Sequence, residues 1–336
     1  MDRIELKSFA KINLTLDVKG TLPGGMHEVE MVMQQILLCD DVSITWEPAA
    51  GGLGQTAETG GIGQTETGGL EINLTTNRKY LPTDERNLAY KAVQVMHRYC
   101  RQNPHIYTAG QSAPVGRVAI HIKKRIPVAA GLAGGSGNGA AVLHGLNVLW
   151  GLNLDLKTLC EISTMLGSDV PFTVMGQAAA NENLKGRFAG DPLACHCALA
   201  TGTGTELKPL PGLKSHLVLS KPPVSVSTAS VYKGIDNVPI PQRPDTDEMI
   251  EGLRKRDRRL IEKNLINVLE NYTLKEYSNV VYTKNKMQEL CNSGAVLMSG
   301  SGPTVFGLCD SIQESRAVCD AMKQINPESF WTRTTC

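Results

Sequence analysis

The chain has 336 residues, 41% of them hydrophobic and 20% charged, with a formal net charge of +1. That length allows roughly two ordinary domains, and so balanced a charge removes the electrostatic case for a nucleic-acid or acidic-membrane partner. No apolar run approaches the ~18 residues of a membrane span, and residues 1–7 lack the apolar core of a secretion signal. The expectation is a cytoplasmic protein. Its nine cysteines then read as reduced thiols. Cys195-His196-Cys197 lacks the second pair that a zinc site needs.

Residues 4–18 read as extended. Ile12, Leu14, Leu16 and Val18 alternate with polar partners, which is strand periodicity. Lys11 and Asn13 share the other face, and spacing alone makes Lys11 a solvated strand lysine. Gly24-Gly25-Met26-His27 is a turn. Residues 28–38 mix helical and extended signals, and 41–47 read as a strand. Residues 49–69 hold two near copies of a glycine-rich run. With so little apolar content the run cannot offset its ordering entropy, so a flexible insertion is expected there. A strand resumes at 70–74. A helix follows with Leu88, Ala92, Val95, Met96 and Tyr99 on one face. Asp84 or Asn87 could cap it; for Asn87, capping alone and a ligand role both stay open.

Residues 118–122 alternate as a strand, and 140–149 run as a helix. Between them stands a glycine-rich loop, Pro127-Val128-Ala129-Ala130-Gly131-Leu132-Ala133-Gly134-Gly135-Ser136-Gly137. Strand, glycine loop and helix start together hold phosphate groups: glycines let the backbone approach an anion, and the helix N-terminus offers unpaired N–H groups. A second helix ends at Leu166-Gly167. Asp169 follows; from position alone it serves the turn or caps the next element. Residues 181–197 are irregular and read as an insertion. A short strand at 217–219 precedes an exposed segment at 221–232. A charged helix is expected over 245–269 and another over 282–291. Two apolar strands flank a second glycine-rich turn at 299–303, and a helix closes the chain over 316–325.

The first loop fails two common phosphate motifs. Read from Gly131 as G-x-x-x-x-G-K-[ST], the second glycine position is Ser136 and no Lys-Ser/Thr follows. Read as G-x-G-x-x-G, Ala133 and Ser136 stand where glycines should be. Three other phrases remain: Ala10-Lys11-Ile12-Asn13-Leu14, the loop at 127–141, and Leu297-Met298-Ser299-Gly300-Ser301-Gly302-Pro303. With these the chain resembles the superfamily of galactokinase, homoserine kinase, mevalonate kinase and phosphomevalonate kinase. Residues 81–92, Gly167-Ser168-Asp169-Val170-Pro171-Phe172 and residues 264–270 are most similar to the branch serving non-mevalonate isoprenoid synthesis, whose acceptor alcohol carries a cytidine diphosphate.

The resemblance implies an α+β, two-domain fold: an S5-like ATP-binding domain at 1–178 and an α/β-sandwich substrate domain at 179–336, with insertions near 49–69 and 181–198. It implies transfer of the γ-phosphoryl of ATP to a hydroxyl, with Mg2+ expected from the chemistry and its ligands unassigned. Asp169 would accept or orient the hydroxyl, and Lys11 would stabilise charge beside it. Residues 127–137 would wrap the ATP phosphates, with Asn87 and Lys124 towards the nucleotide. Asn13, His27, Thr228 and Tyr232 would face the acceptor. The chain departs from the family pattern at Met26, where tyrosine is usual, and at Gly137 and Gly139. Two alternatives stay open: a related kinase with another acceptor alcohol, and a nucleotide-binding protein without turnover.

Overall fold

The computed structural model describes residues 1–49, 69–106 and 113–336. Most of the expected insertion at 49–69 lies outside the described residues. The chain opens with two long strands, β1 (Arg3–Thr21) and β2 (His27–Pro48). The mixed signal at 28–38 has a physical reason. β2 is buried on both faces over residues 31–36, so Met31-Val32-Met33-Gln34-Gln35-Ile36 shows no alternation of apolar and polar residues.

Two compact units interleave along the chain. One comprises Met1–Ser8, Asp40–Arg125 and Gly135–Asp191; the other comprises Phe9–Cys39, Ile126–Gly134 and Pro192–Cys336. A single break at 178/179 was expected from sequence. The strands β1 and β2 are long enough that each contributes one end to each unit.

The first unit adds β3 (Leu70–Thr76), α1 (Leu88–Gln102), β4 (Gly116–Lys123), α2 (Gly134–Leu149), α3 (Leu156–Ser163), α4 (Val170–Ala180) and α5 (Glu182–Lys185). β4 pairs parallel with β3 and antiparallel with the end of β2, setting Ile120 beside both Leu74 and Ile44. The segment near 181–198, read as an irregular insertion, is tied down at its start. Lys7 N donates to Asn181 Oδ1 at 2.7 Å, Asn181 Nδ2 donates to Lys7 O at 3.0 Å, and Asn183 Nδ2 donates to Glu5 O at 2.8 Å. These amides complete the backbone bonding of the first residues of β1.

The second unit adds β5 (Cys197–Thr201), β6 (Glu206–Pro209), β7 (His216–Lys221), α6 (Thr228–Ile235), α7 (Thr246–Lys255), α8 (Arg258–Lys263), β8 (Ile266–Asn267), α9 (Glu270–Glu276), α10 (Ser278–Leu290), β9 (Val296–Met298), β10 (Val305–Cys309), α11 (Ile312–Lys323) and β11 (Glu328–Arg333). β8 runs parallel to β1, β5 pairs with β2, and a separate antiparallel sheet has the order β11-β7-β10-β9. Ile12, Leu14, Ile36, Leu219, Leu297 and Phe306 share its core. The single helix expected over 245–269 is α7, α8 and β8. Arg256 takes a left-handed conformation (φ 57°), which ends α7. Largely antiparallel sheets with helices make this an α+β fold, as expected.

Candidate active site

Residues 126–134, most of the glycine loop, belong to the second unit. Ile126, Ala130 and Leu132 are core residues there. Ala129, Gly131 and Ala133 have φ of 50°, 71° and 53°. Left-handed alanines cost about 1–2 kcal/mol each, and such strain survives only where surroundings impose it. Lys11 N donates to Leu132 O at 3.1 Å, and Ser299 Oγ donates to Gly131 O at 2.9 Å. A Cβ on Gly131 would lie 2.1 Å from Ser299 O. No other residue fits at that crossing.

The second glycine turn is fixed in its turn by side chains from 264–270. Asn267 Nδ2 donates to Met298 O at 2.8 Å and to Gly300 O at 2.7 Å. Glu270 accepts from Met298 N at 2.9 Å, while Lys284 holds its other oxygen at 2.6 Å. Sequence reasoning quoted Asn267 and Glu270 within a family phrase and gave them no role.

The expectation that Lys11 is a solvated lysine is overturned: it is 4% exposed. Residues 8–18 of β1 are buried on both faces, which alternation alone cannot reveal. Lys11 Nζ donates to Asn13 Oδ1 at 2.7 Å, and Asn13 Nδ2 reaches Met31 Sδ at 3.2 Å.

In the first unit, α2 begins at the end of the loop, with Gly135 exposed and Ser136 half-buried in its first turn. Lys124 is buried, and its Nζ donates to Asp40 Oδ2 at 2.5 Å. Asn138 Nδ2 donates to the same oxygen at 2.9 Å and to Ser8 Oγ at 3.0 Å, and Arg125 N donates to Asp40 Oδ1 at 2.7 Å. Burial pushes the Lys124 ammonium below the usual lysine range, and Asp40 opposes that shift. Lys124 thus anchors the start of α2. Asp40 and Asn138 were missed in sequence because buried partners lying 84 residues (Asp40 and Lys124) and 98 residues (Asp40 and Asn138) apart leave no local signal.

Asn87 caps α1: its Oδ1 accepts from Ala89 N at 3.0 Å and its Nδ2 donates to Pro82 O at 2.9 Å. α1 and α2 start side by side there. A Cβ on Gly139 would lie 3.3 Å from Leu88 O, so this glycine permits a close approach at some cost in helix propensity. Asp169 stands at the N-terminus of α4 and makes no side-chain cap bond, which removes the capping explanation. One helical stretch on, Gln177 Nε2 donates to Gly137 O at 2.7 Å.

His27, Tyr232 and Asp236 meet in the second unit. His27 Nε2 lies 2.9 Å and 3.1 Å from the two Asp236 carboxylate oxygens. The rings of His27 and Tyr232 have centroids 5.2 Å apart, tilted by 46°. Thr228, at the start of the same helix α6, shares a hydrogen bond with Ser301 at 3.0 Å. Cys195-His196-Cys197 serves packing instead: His196 Nδ1 bonds Gln35 Oε1 at 2.8 Å, and burial pushes the Cys195 thiol up to about 12. Among the described residues no three His, Cys, Asp or Glu side chains group as metal ligands, and no helix is long and apolar enough to cross a membrane.

Comparison with known proteins places this geometry. Residues 87–177 match the GHMP kinases N terminal domain and residues 249–328 match the GHMP kinases C terminal domain. A 4-diphosphocytidyl-2-C-methyl-D-erythritol kinase of Alkaliphilus metalliredigens (strain QYMF) is 40% identical over 309 residues, 92% of this chain and 88% of its own length. A protein of the same name from Geobacillus kaustophilus (strain HTA426) is 37% identical over 332 residues, 98% of this chain and 97% of its own. Among solved structures, a 4-(cytidine 5'-diphospho)-2C-methyl-D-erythritol kinase superposes with a TM-score of 0.70 at 24% identity, covering 99% of this chain and 100% of its own. The homoserine kinase of Cytophaga hutchinsonii ATCC 33406 superposes at 0.62 with 17% identity, covering 100% and 95%. These two superpositions carry the fold.

The chain is therefore a GHMP kinase, an ATP-dependent phosphotransferase. Within that class it belongs to the 4-diphosphocytidyl-2-C-methyl-D-erythritol kinase family.

Proposed function

We propose that this enzyme transfers the γ-phosphoryl of ATP to the 2-hydroxyl of 4-diphosphocytidyl-2-C-methyl-D-erythritol, in non-mevalonate isoprenoid precursor synthesis. The observation that carries the acceptor is the near full-length likeness to relatives of that name, together with the cluster of His27, Tyr232 and Asp236. Tyr232 offers a ring and His27 a polar edge, which are what a nucleobase needs. Met26, 52% exposed, would add an apolar flank in place of a second ring.

Residues 127–137 would hold the ATP phosphates. The strained, pinned loop supports this, because it leads without a break into the first turn of α2, where unpaired N–H groups and the helix dipole favour an anion. Lys124 would act through Asp40 and Asn138 by fixing that helix start, and Asn87 by setting α1 against it. Asp169 would orient the acceptor hydroxyl and take its proton late in a loose transition state. Lys11, directed by Asn13, would stabilise charge on the transferring oxygens. The pairing of Lys11 with Asp169 rests on the two family motifs that contain them. Mg2+ would be held chiefly by phosphates and water and would neutralise charge on the β- and γ-phosphates. Cytoplasmic residence belongs to the same proposal, since ATP is the donor.

A coupled ADP-release assay over a panel of acceptors tests this reading. Turnover with the cytidine-diphosphate alcohol and none with homoserine, mevalonate or galactose is expected. Turnover with one of those and none with the first would overturn it.

A further inference from the structure

We propose that a cavity at the C-terminal end of α7 is a second anion site of this enzyme. It takes a small organic molecule bearing a diphosphate, held by Lys214, Arg254 and Arg256. None of the residues assigned above to ATP or to the acceptor lines it, and the proposal does not depend on which alcohol the enzyme phosphorylates.

The cavity measures about 460 Å³ and all of its lining belongs to the second unit. That size suits a small metabolite. Three stretches form the wall: residues 195–196 before β5, residues 210–214 between β6 and β7, and residues 253–256 at the end of α7. Lys214, Arg254 and Arg256 all line it, and no aspartate or glutamate does. Cys336 lines it too; an α-carboxylate there, set against the three cations, would still leave a surplus of two positive charges. Cys195 adds no negative charge, because burial pushes its thiol up to about 12.

Arg254 and Arg256 are what a heavily paired stretch leaves over. Lys255 holds Glu251 at 2.8 Å, Arg258 holds Glu262, and Lys263 holds Glu248 at 2.7 Å. Asp245 and Asp257 cap α7 and α8. Glu251 also feels the charge of Arg254, but its hydrogen bond goes to Lys255. Among the described residues Lys214, Arg254 and Arg256 form no ion pair. Cations in the last turn of a helix answer its dipole, which accounts for Arg254 and Lys255 alone. Lys214 comes from another part of the chain, and Arg256 lies past the last helical residue. Arg256 stands at φ 57°, a conformation that glycine takes freely and arginine does not. Three cations on a wall without carboxylate side chains repel one another, and a diphosphate removes that repulsion. Guanidinium forks bond phosphate oxygens in pairs, and lysine adds a point charge. Leu210 and Pro211 give the organic part an apolar edge.

Isothermal titration of the whole enzyme with inorganic diphosphate tests this, with saturating ADP and no Mg2+ so that the nucleotide site stays filled. The parent should bind with a Kd of about 0.1 mM. Lys214→Gln, Arg254→Gln and Arg256→Gln should each weaken binding about fivefold to tenfold, and the triple variant should abolish it. Inorganic phosphate should bind at least about tenfold more weakly, having too little charge for three cations. Butyl diphosphate should bind at least as tightly as inorganic diphosphate. Arg259→Gln removes a neighbouring exposed cation that does not line the cavity and should leave Kd within about twofold. Arg256→Gly separates binding from folding: it relieves the left-handed backbone, so it should unfold at no lower temperature than the parent while losing affinity as Arg256→Gln does. Phenylglyoxal labelling of the parent, read by mass spectrometry, maps the site without any variant: diphosphate should protect Arg254 and Arg256 and leave Arg259 reactive. A triple variant that binds like the parent, equal affinity for phosphate and diphosphate, or no protection of Arg254 and Arg256 would overturn the site. Weaker binding of butyl diphosphate than of inorganic diphosphate would overturn the organic ligand.

Discussion

Replacing Gly131 by alanine tests whether the glycine loop is built against the second glycine turn. The new Cβ would lie 2.1 Å from Ser299 O and 3.1 Å from Gly302 O. Both are backbone atoms, so no side chain can swing away. The residue also sits at φ 71°, which costs an alanine about 1–2 kcal/mol. Forcing packed backbone apart costs about 1–3 kcal/mol more. Together the loss is about 2–5 kcal/mol, and shifting Ser299 also stretches its bond to Gly131 O, now 2.9 Å. For a chain of this size each kcal/mol moves Tm by roughly 2 °C, so Tm should fall by about 4–10 °C. Gly135→Ala is the matched control. Its Cβ would meet only Leu88 Cδ1 at 3.8 Å, in a helical turn where alanine gains up to about 1 kcal/mol. Thermal unfolding at one scan rate compares the two. A Gly131→Ala protein as stable as the parent would refute the packing argument.

Three further substitutions probe other parts of the account. Asp40→Asn strands the buried Lys124 ammonium and should cost about 3–5 kcal/mol in urea unfolding; a loss below about 1 kcal/mol would mean the pair does not anchor α2. His144 is fully buried, its Nε2 bonds Val174 O at 2.9 Å, and burial pushes its pKa down to about 4. The unfolded chain takes up that proton near pH 6.5, so this contribution to stability is complete above pH 6.5 and shrinks as pH falls towards about 4. His144→Gln should therefore show a flatter decline across that window, and an unchanged slope would contradict the assignment. Asp169→Asn should lower kcat by about 10³-fold or more with ATP affinity largely kept; equal loss of ATP binding would assign Asp169 to the nucleotide instead.

Much of this was legible because the chemistry-bearing stretches are local. The strand at 118–122, the loop at 127–137 and the two strands around the second glycine turn lie where alternation and glycine content put them. Other features depend on what packs against a strand. Lys11 sits on a face that alternation marks as solvent and that tertiary contacts cover. β2 is buried on both faces, so its period vanishes. The interleaved units follow from strand length, which no short window reports. Asp236 lies 209 residues from His27, and nothing near either predicts the pairing. Gly139 departs from the family pattern and lowers helix propensity; the nearby Leu88 carbonyl explains it as room for a neighbouring helix.

The most direct test of the central claim is the identity of the product. Phosphorus-31 NMR of the enzyme with ATP, Mg2+ and 4-diphosphocytidyl-2-C-methyl-D-erythritol should show one new phosphomonoester resonance, coupled to the 2-position of the alcohol, growing in step with ADP. ADP accompanied only by inorganic phosphate, or no change at all, would contradict it.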